Sequence, residues 1–362
     1  MRPRALLALI AAALLALIAA VAVEHAASQR RQPGMAGTRL LPGLESSINA
    51  VTGLQLLGAG AHLLVTLQRT AQGWAVTQTA APADPARVRS YLLRLARARI
   101  IAAKTRDPSL YATIGVAAIA SASAGDGGVE LRLQGMTASP ALLIGRYDER
   151  LDGTFVRPAD SAESLLVAGD LTPPQAPVDW MPHPLLSIAS DAVQAVTVSD
   201  ASGARYVVAR EADGRLMVRH APAGVQAAAR RDLVAGVLDG LDYVAVEPAA
   251  KPPADALRAR VELRNGVVIE LHLWRPTPVA THARAVLTVQ APRGAAPALV
   301  TRAAVLAAWL QGRTWVLAPG TWSLLSGSLQ PGMPMPASAA SAPAAATSSA
   351  AAPPMISGGD RG

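Results

Sequence analysis

The residues that could carry out acid/base chemistry are few and far apart in the sequence. Asp84 and Asp107 come nearest to a carboxylate pair, but each directly precedes a proline. An aspartate followed by proline is typical of the N-cap and first position of a helix, so capping explains both residues better than catalysis does. We therefore predict that the two aspartates cap helices and that the chain has no catalytic residues.

The histidines show none of the spacings expected of metal ligands. They are His25, His62, His183, His220, His272 and His282. None of them belongs to an HExxH motif, and the chain has no cysteine, which excludes thiolate ligands, disulfides and a cysteine nucleophile. We predict structural roles for the histidines, no metal site and no cofactor.

Motifs for nucleotide binding and for nucleophilic catalysis are also missing. The segment from Leu56 to Leu64 contains Gly58 and Gly60 but lacks the third glycine and the following helix of a dinucleotide-binding loop. No GxSxG, P-loop or SxxK motif occurs. We predict that the protein is not an enzyme. An enzyme of unrecognised type would need clustered polar residues with perturbed pKa values in a cleft.

The formal charge of +8 is carried by scattered arginines. Only Lys104 and Lys251 are lysines, and the arginines form no run of the kind that marks a nucleic-acid-binding patch. We predict no nucleic-acid partner.

The strongest pattern lies at the N-terminus, where Ala5 to Val23 form an unbroken run of alanine, leucine, isoleucine and valine. As a helix this run would span about 28 Å, close to the thickness of a bilayer core. Arg2 and Arg4 favour a cytoplasmic N-terminus. We predict an uncleaved anchor in residues 1–24 of a single-pass protein of the bacterial inner membrane, with the bulk of the chain in the periplasm. A cleaved signal peptide is the alternative.

Between a linker at residues 25–45 and a tail at residues 329–362, the order of sequence patterns repeats. VELR occurs at 129–132 and at 261–264, and LVTLQRTAQGWAV aligns without a gap with YVVAREADGRLMV. Each of these hairpin patterns precedes a helical stripe and further strands. The alternation of VELR predicts Glu130 and Glu262 on the solvent side of equivalent strands. Just upstream, INAVT matches VQAVT, and each copy is expected to close with a short helix, SLLVAGDL in the first and LVTRAAVLAAWL in the second.

These patterns predict an α+β fold with mainly antiparallel sheets in two tandem duplicated domains, 46–178 and 179–328. The proline-rich segment from Thr172 to Pro184 would join them. The tail consists almost entirely of proline, alanine, serine, glycine and methionine, and we predict that it is disordered.

The motifs GWAVTQTAAPADPARVRSYLLRL, KTRDPSLYATIGV and SLLVAGDLTPPQAPVDWMPHPLLSI resemble the DUF4340 family of bacterial envelope proteins over about residues 60 to 320. The resemblance rests on Trp74, Asp84, Asp107, Tyr111, Gly115 and Trp180. It implies a membrane anchor, a duplicated domain and a role beside ABC-transport components of the type associated with gliding motility. The KTRDPSLYATIGV segment has only a weak second copy, so a partner site on it would occur once.

We therefore predict a non-catalytic, membrane-anchored extracytoplasmic component of an ABC-transport-associated envelope assembly. Its expected partners are the membrane and a transporter permease or gliding-type auxiliary subunits. The alternative is a binding protein that captures a small molecule, glycan or peptide in a cleft between the repeats. Candidate partner or domain-junction contacts are Trp180, Trp74, Tyr111 and Trp315. For Trp180, both a packing role and an exposed anchoring role are open.

Overall fold

The computed structural model describes residues 35–123, 126, 128–136 and 140–330. The predicted membrane anchor and nearly all of the predicted tail lie outside these residues. Within the described ranges, no helix has the length and apolar character needed to cross a membrane.

The regular elements are numbered here in chain order. The strands are β1 (Gly53–Gly58), β2 (His62–Thr70), β3 (Gly73–Val76), β4 (Ala81–Pro82), β5 (Ile100–Ala103), β6 (Val129–Gln134), β7 (Ala141–Asp148), β8 (Gly153–Pro158), β9 (Leu165–Ala168), β10 (Val193–Ser199), β11 (Arg205–Arg210), β12 (Leu216–His220), β13 (Tyr243–Pro248), β14 (Leu257–Leu263), β15 (Val268–Trp274), β16 (Arg284–Gln290) and β17 (Arg313–Leu317). The helices are α1 (Leu44–Ser47), α2 (Pro85–Arg97), α3 (Tyr111–Ile114), α4 (Ala227–Ala235), α5 (Pro297–Leu310) and α6 (Thr321–Gly327).

The chain divides into two compact units, one of residues 1–69 and 89–175 and the other of residues 70–88 and 176–362. Seven strands of the first unit form a sheet in the order β2-β1-β6-β7-β8-β9-β5. The second unit has a sheet in the order β12-β11-β10-β14-β15-β16-β17-β13. Neighbouring strands pair antiparallel, for example β6 with β7 and β14 with β15. The predicted α+β class and the predicted tandem sheet domains are confirmed.

The two sheets have the same topology. When β1 is matched with β10 and the later strands follow in chain order, the order β2-β1-β6-β7-β8-β9-β5 becomes β11-β10-β14-β15-β16-β17-β13. The VELR segments lie in the matched strands β6 and β14. Glu130 is opposite Leu143, and Glu262 is opposite Val268 at the corresponding position of the second sheet. VELR therefore marks equivalent strands of the two units.

Two details of the predicted repeat are wrong. The INAVT segment is a 3-10 turn at Ile48–Ala50 that continues from α1, and β1 begins only at Gly53, so INAVT is not the counterpart of strand β10. SLLVAGDL is not a helix, because its apolar residues form strand β9, which lies between β8 and β5. A short apolar run buried in a central strand has no periodicity that separates it from a helix. Helix α5 therefore has no counterpart at SLLVAGDL.

The predicted helix caps are confirmed. Asp84 Oδ1 accepts hydrogen bonds from the backbone N–H groups of Ala86 (2.9 Å) and Arg87 (3.3 Å) at the start of α2. Asp107 Oδ1 accepts one from Ser109 N (3.0 Å), and this hydrogen-bonding serine lowers the pKa of the Asp107 carboxyl. The aspartates therefore satisfy N–H groups that have no partner within the helix.

The helical stripe predicted after the first hairpin consists of Val88, Leu92 and Leu95, and all three are buried in α2. The stripe predicted after the second hairpin consists of Leu233, Val237 and Leu241, and it is partly wrong, because Leu233 is 38% exposed. Helix α4 ends at Ala235, and the chain turns before the predicted stripe is complete.

Candidate functional site: the polar face of the second sheet

One face of the first sheet is covered by the segment that joins β5 to β6. The strand registers place Leu57, Glu130, Leu143 and Arg157 side by side on four adjacent strands. Buried side chains of the joining segment pack against Leu143, with Leu57 at the margin of this cluster. They are Tyr111, Val116 and Ile119. Residues 104–123 therefore turn this part of the sheet face into interior.

Glu130 contradicts the prediction that it lies on a solvent-facing surface. The residue is 9% exposed, and its Oε1 accepts a hydrogen bond of 2.5 Å from Arg132 Nε. Strand alternation correctly predicts that Glu130 points to the opposite face of the sheet from its apolar neighbours in β6. The inserted segment, however, covers the face to which Glu130 points. By contrast, the matched Glu262 has a side chain that is 46% exposed, as predicted.

Arg157 holds the inserted segment on this face. The arginine is 7% exposed, its Nε donates to Val116 O (3.0 Å), and its Nη1 donates to Ser161 O (2.7 Å). Its guanidinium carbon lies 4.6 Å from the centre of the Tyr111 ring. The Tyr111 hydroxyl in turn lies within hydrogen-bond distance of the carbonyls of Ala162 and Arg106. A buried cation with several partners thus fixes the segment.

The corresponding face of the second sheet is open. The matched row consists of Ala195, Glu262, Val268 and Gln290, and each of these residues is at least partly exposed. In the second unit, only residues 249–256 join β13 to β14, compared with residues 104–128 between β5 and β6. Because this connection is too short to fold back over the sheet, the face stays exposed.

Charged side chains are concentrated on this open face. Arg260 donates to Glu262 Oε1 (3.0 Å) on its own strand and to Glu270 Oε1 (2.7 Å) on β15. The hydrogen bonds to Glu262 and Glu270 raise the pKa of Arg260, so its guanidinium group stays protonated. Within the described ranges, Arg205 and Arg258 form no ion pair. A depression of 390 Å³ is lined by Thr197, Ser199, Asp200, Gly203, Arg205, Arg258, Ala259, Arg260, Glu270 and His272.

This arrangement is suited to docking a polar partner. The described residues contain no group of three histidine, cysteine or acidic side chains that could hold a metal ion. Guanidinium groups bind carboxylates through paired, planar hydrogen bonds, so Arg205 and Arg258 are positioned to receive acidic side chains. We call this surface, formed by the outward-facing residues of β10, β11, β14 and β15, the polar face of the second sheet.

A second feature of the second unit is a histidine–aspartate pair. His183 Nδ1 lies 2.7 Å from Asp242 Oδ1, and its Nε2 lies 3.1 Å from Val178 O. The ring stacks on Tyr243 with a centroid separation of 4.4 Å. Since both ring nitrogens face acceptors and a neutral imidazole has only one N–H, the imidazolium form fits best. The pair therefore has no ring nitrogen left to act as a general base, and it ties the chain around Val178 to β13.

The His183–Asp242 pair should make the stability of the second unit depend on pH. Burial acts to lower the pKa of His183, but the hydrogen bonds to Asp242 and Val178 outweigh it and raise the pKa above 6.5. Burial acts to raise the pKa of Asp242, but hydrogen bonds from His183 and Tyr243 N lower it below 3.8. The pair thus stabilises the fold fully between these ordinary values, and its contribution is lost as the pH rises through the raised pKa of His183.

We expect the melting temperature of the wild-type protein to fall as the pH rises above 6.5, and His183→Gln to remove part of that fall. The exposed His220 on β12 provides the control, because His220→Gln should leave the pH profile unchanged. Thermal melts of the three proteins in the same buffers make the comparison. Identical profiles for His183→Gln and the wild type would exclude this role.

Of the four aromatic residues singled out from the sequence, three lie in the second unit and one in the first. Trp180 is fully buried in the second unit, where its carbonyl accepts a hydrogen bond from Asp84 N (2.7 Å). Trp315, also fully buried there, donates from Nε1 to Leu310 O (3.0 Å). Trp74 is half-buried in β3, and Tyr111 is buried in the first unit. The sequence reasoning missed the polar face, although arginine and glutamate alternate with apolar residues in LRARVEL and VIELHLW.

The fold and this face define a class of protein with two tandem α+β sheet units, of which one sheet face is covered by an insertion and its counterpart is open. The chain belongs to the family described as Domain of unknown function (DUF4340), whose family model matches residues 74–259, half of the chain. Comparisons with curated proteins and with solved structures gave no match. The match includes all six residues on which the sequence resemblance rests.

Proposed function

We propose that this protein is a non-catalytic, membrane-anchored extracytoplasmic component of an ABC-transport-associated envelope assembly, and that the polar face of the second sheet docks a partner subunit. The main support is the difference between two equivalent sheet faces. The first unit covers its face with a packed segment held by Arg157, whereas the second unit leaves the matched face open with charged side chains.

The chemistry of the open face favours a protein partner with acidic side chains. Arg205 and Arg258 line the depression, while Arg260 already binds two carboxylates within the unit. A cationic group without an ion-pair partner gains most from an incoming carboxylate, because charge complementarity adds to both the association rate and specificity.

The membrane part of the proposal is supported by the apolar run from Ala5 to Val23 and by the two arginines before it. The partner class is supported by membership of the DUF4340 family, because the resemblance to that family implies a position beside ABC-transport components. We therefore propose the periplasmic surface of a transporter permease, or an auxiliary subunit beside it, as the partner.

Charge reversal on the polar face should weaken the assembly. Arg258→Glu in the full-length protein is expected to reduce the permease recovered with it by about tenfold, since a reversed charge at a docking surface costs about 1.4 kcal/mol or more. The measurement is affinity purification from membranes in mild detergent, followed by quantitative mass spectrometry of the transporter subunits.

Arg146→Glu is the matched control, because Arg146 is an exposed arginine on strand β7 of the first sheet. It should leave the recovery unchanged. If the wild-type protein brings down no transporter subunit, or if both variants reduce recovery equally, the proposed docking role is wrong.

A further inference from the structure

We infer that a basic groove in the first unit binds the anionic phospholipid headgroups of the membrane in which the chain is anchored. The groove is lined by Arg94, Arg97 and Arg99. This inference rests on the proposed function, because it requires the membrane anchor, and it adds a second membrane contact that involves a folded surface.

The groove is formed by one face of α2, by the chain just before β5 and by the end of β9 with the residues that follow it. Ser90, Leu93, Arg94 and Arg97 follow helical spacing along one side of α2. Residues 168–171 form the opposite wall. The groove has a volume of 460 Å³, which falls in the range of about 300–1,000 Å³ typical of sites for small ligands.

Each of the three arginines has a polar contact within the unit, yet most of their hydrogen-bond donors are unused. Arg94 Nη1 lies 3.4 Å from the backbone oxygen of Asp170, and Arg97 Nε lies 3.8 Å from Glu45 Oε1. Arg99 Nη1 donates to Gly37 O (2.7 Å). Each guanidinium carries five N–H groups, so these contacts leave donors available to a ligand.

The groove is positive even when the nearby carboxylates are counted. Asp170 lines it, and its Oδ1 accepts a hydrogen bond of 2.8 Å from Thr172 N. Glu45 lies beside Arg97 but also pairs with Arg39. The three lining arginines together with Arg39 carry four positive charges, and Asp170 and Glu45 carry two negative ones. The resulting net charge of about +2 favours a phosphate or phosphodiester group.

The start of the described chain lies at the edge of this groove. Residues 37–40 pair with residues 98–100 next to Arg99, through Gly37 N to Ile100 O (2.8 Å) and Leu40 N to Ala98 O (2.9 Å). The predicted anchor ends at Val23, and the chain from Val23 to Gly37 can span at most about 50 Å. The arginines are therefore tethered within reach of the bilayer to which the predicted anchor belongs, and a tether raises the effective concentration of headgroups at the groove.

Anionic headgroups fit this position better than a soluble anion. Each arginine near an anionic leaflet increases the partitioning of the protein to the membrane about fivefold. A free phosphate, by contrast, has to reach the groove from dilute solution. The groove is also open at the surface, as a headgroup that stays joined to its lipid requires.

The inference can be tested with single cysteines, because the natural chain has none. Full-length protein carrying Ser90→Cys, which places a thiol in the groove, is incorporated into nanodiscs of phosphatidylcholine alone or of equal parts phosphatidylcholine and phosphatidylglycerol. Ser202→Cys, at an exposed position of the second unit, is the matched control. The rate of modification by N-ethylmaleimide is measured in both kinds of disc, with and without added inorganic phosphate.

We expect labelling of Ser90→Cys to be about fivefold slower in the anionic discs, with no change for Ser202→Cys. Adding Arg94→Gln, Arg97→Gln and Arg99→Gln should bring the ratio of the two rates back to one, and so should high salt. Equal rates for Ser90→Cys in both discs would overturn the inference. The inference would also be overturned if inorganic phosphate slowed the labelling of Ser90→Cys in phosphatidylcholine discs as much as the anionic lipid does. That result would favour a site for free anions.

The same preparation separates this inference from the proposed function. If the protein does not co-purify with the discs, the proposed anchor is wrong, and the tethered headgroup site fails with it. If the protein co-purifies but shows no lipid-dependent protection, the anchor stands and the groove inference alone is wrong.

Discussion

Replacing Trp315 by alanine is expected to destabilise the second unit by about 3–5 kcal/mol, because it removes a large, fully buried ring. Strand β17, which carries Trp315, lies between β16 and β13 inside the sheet. The ring contacts Tyr243 and Trp309 at centroid distances of 4.8 Å and 5.0 Å. Its Nε1 also donates to Leu310 O at the end of α5, so the substitution removes packing and a hydrogen bond together.

Hydrogen exchange followed by mass spectrometry can resolve this effect in a chain with two units, since it reports the opening of β13 and β17 separately from that of the first sheet. Val279→Ala is the control, because Val279 is 89% exposed and should change stability by less than about 0.5 kcal/mol. A loss below about 1 kcal/mol for Trp315→Ala would contradict the role of Trp315 in this core.

Arg157→Met should release the segment that covers the first sheet. The substitution removes the hydrogen bonds to Val116 O and Ser161 O and the contact with Tyr111, and it leaves two carbonyls without their cationic donor. Hydrogen bonds to a charged group contribute about 1.5–3 kcal/mol each, so we expect a local loss of about 3 kcal/mol. Amides of residues 111–119 should then exchange more than a hundredfold faster.

Arg146→Met on the adjacent strand β7 is the matched control, because Arg146 is exposed and should leave this exchange unchanged. The Arg157→Met variant should also make Glu130 accessible, since the same segment covers both residues. Unchanged exchange at residues 111–119 would show that Arg157 does not hold the segment.

Local features of the fold could be predicted well from the sequence. The aspartate caps, the paired hairpins and the two VELR strands depend on neighbours along the chain or on a period of two residues, and both are visible in the sequence. Gly73 and Gly214 have φ values of +117° and +84° at the matched hairpin turns, which explains why glycine recurs there.

The features that were predicted wrongly, or not at all, depend on tertiary contacts. Glu130 alternates with apolar neighbours as an exposed residue would, but its burial results from residues 104–123, which the sequence marks only as an insertion. The segment that forms strand β9 was predicted as a helix, because a short, continuous apolar run is compatible with both structures. The polar face was missed for a related reason, since its importance comes from the short connection between β13 and β14 that leaves it open.

Site-specific photo-cross-linking can show whether the polar face of the second sheet docks a transporter subunit. A photoreactive phenylalanine analogue replaces Thr197 on the polar face, or Gln68 on strand β2 of the first sheet, in the full-length protein in its native membranes. We expect the analogue at Thr197 to yield a cross-linked product containing a transporter permease or auxiliary subunit, and the analogue at Gln68 to yield none. Arg258→Glu should abolish the product. Cross-linking from Gln68 alone, or from neither position, would contradict the proposed docking role.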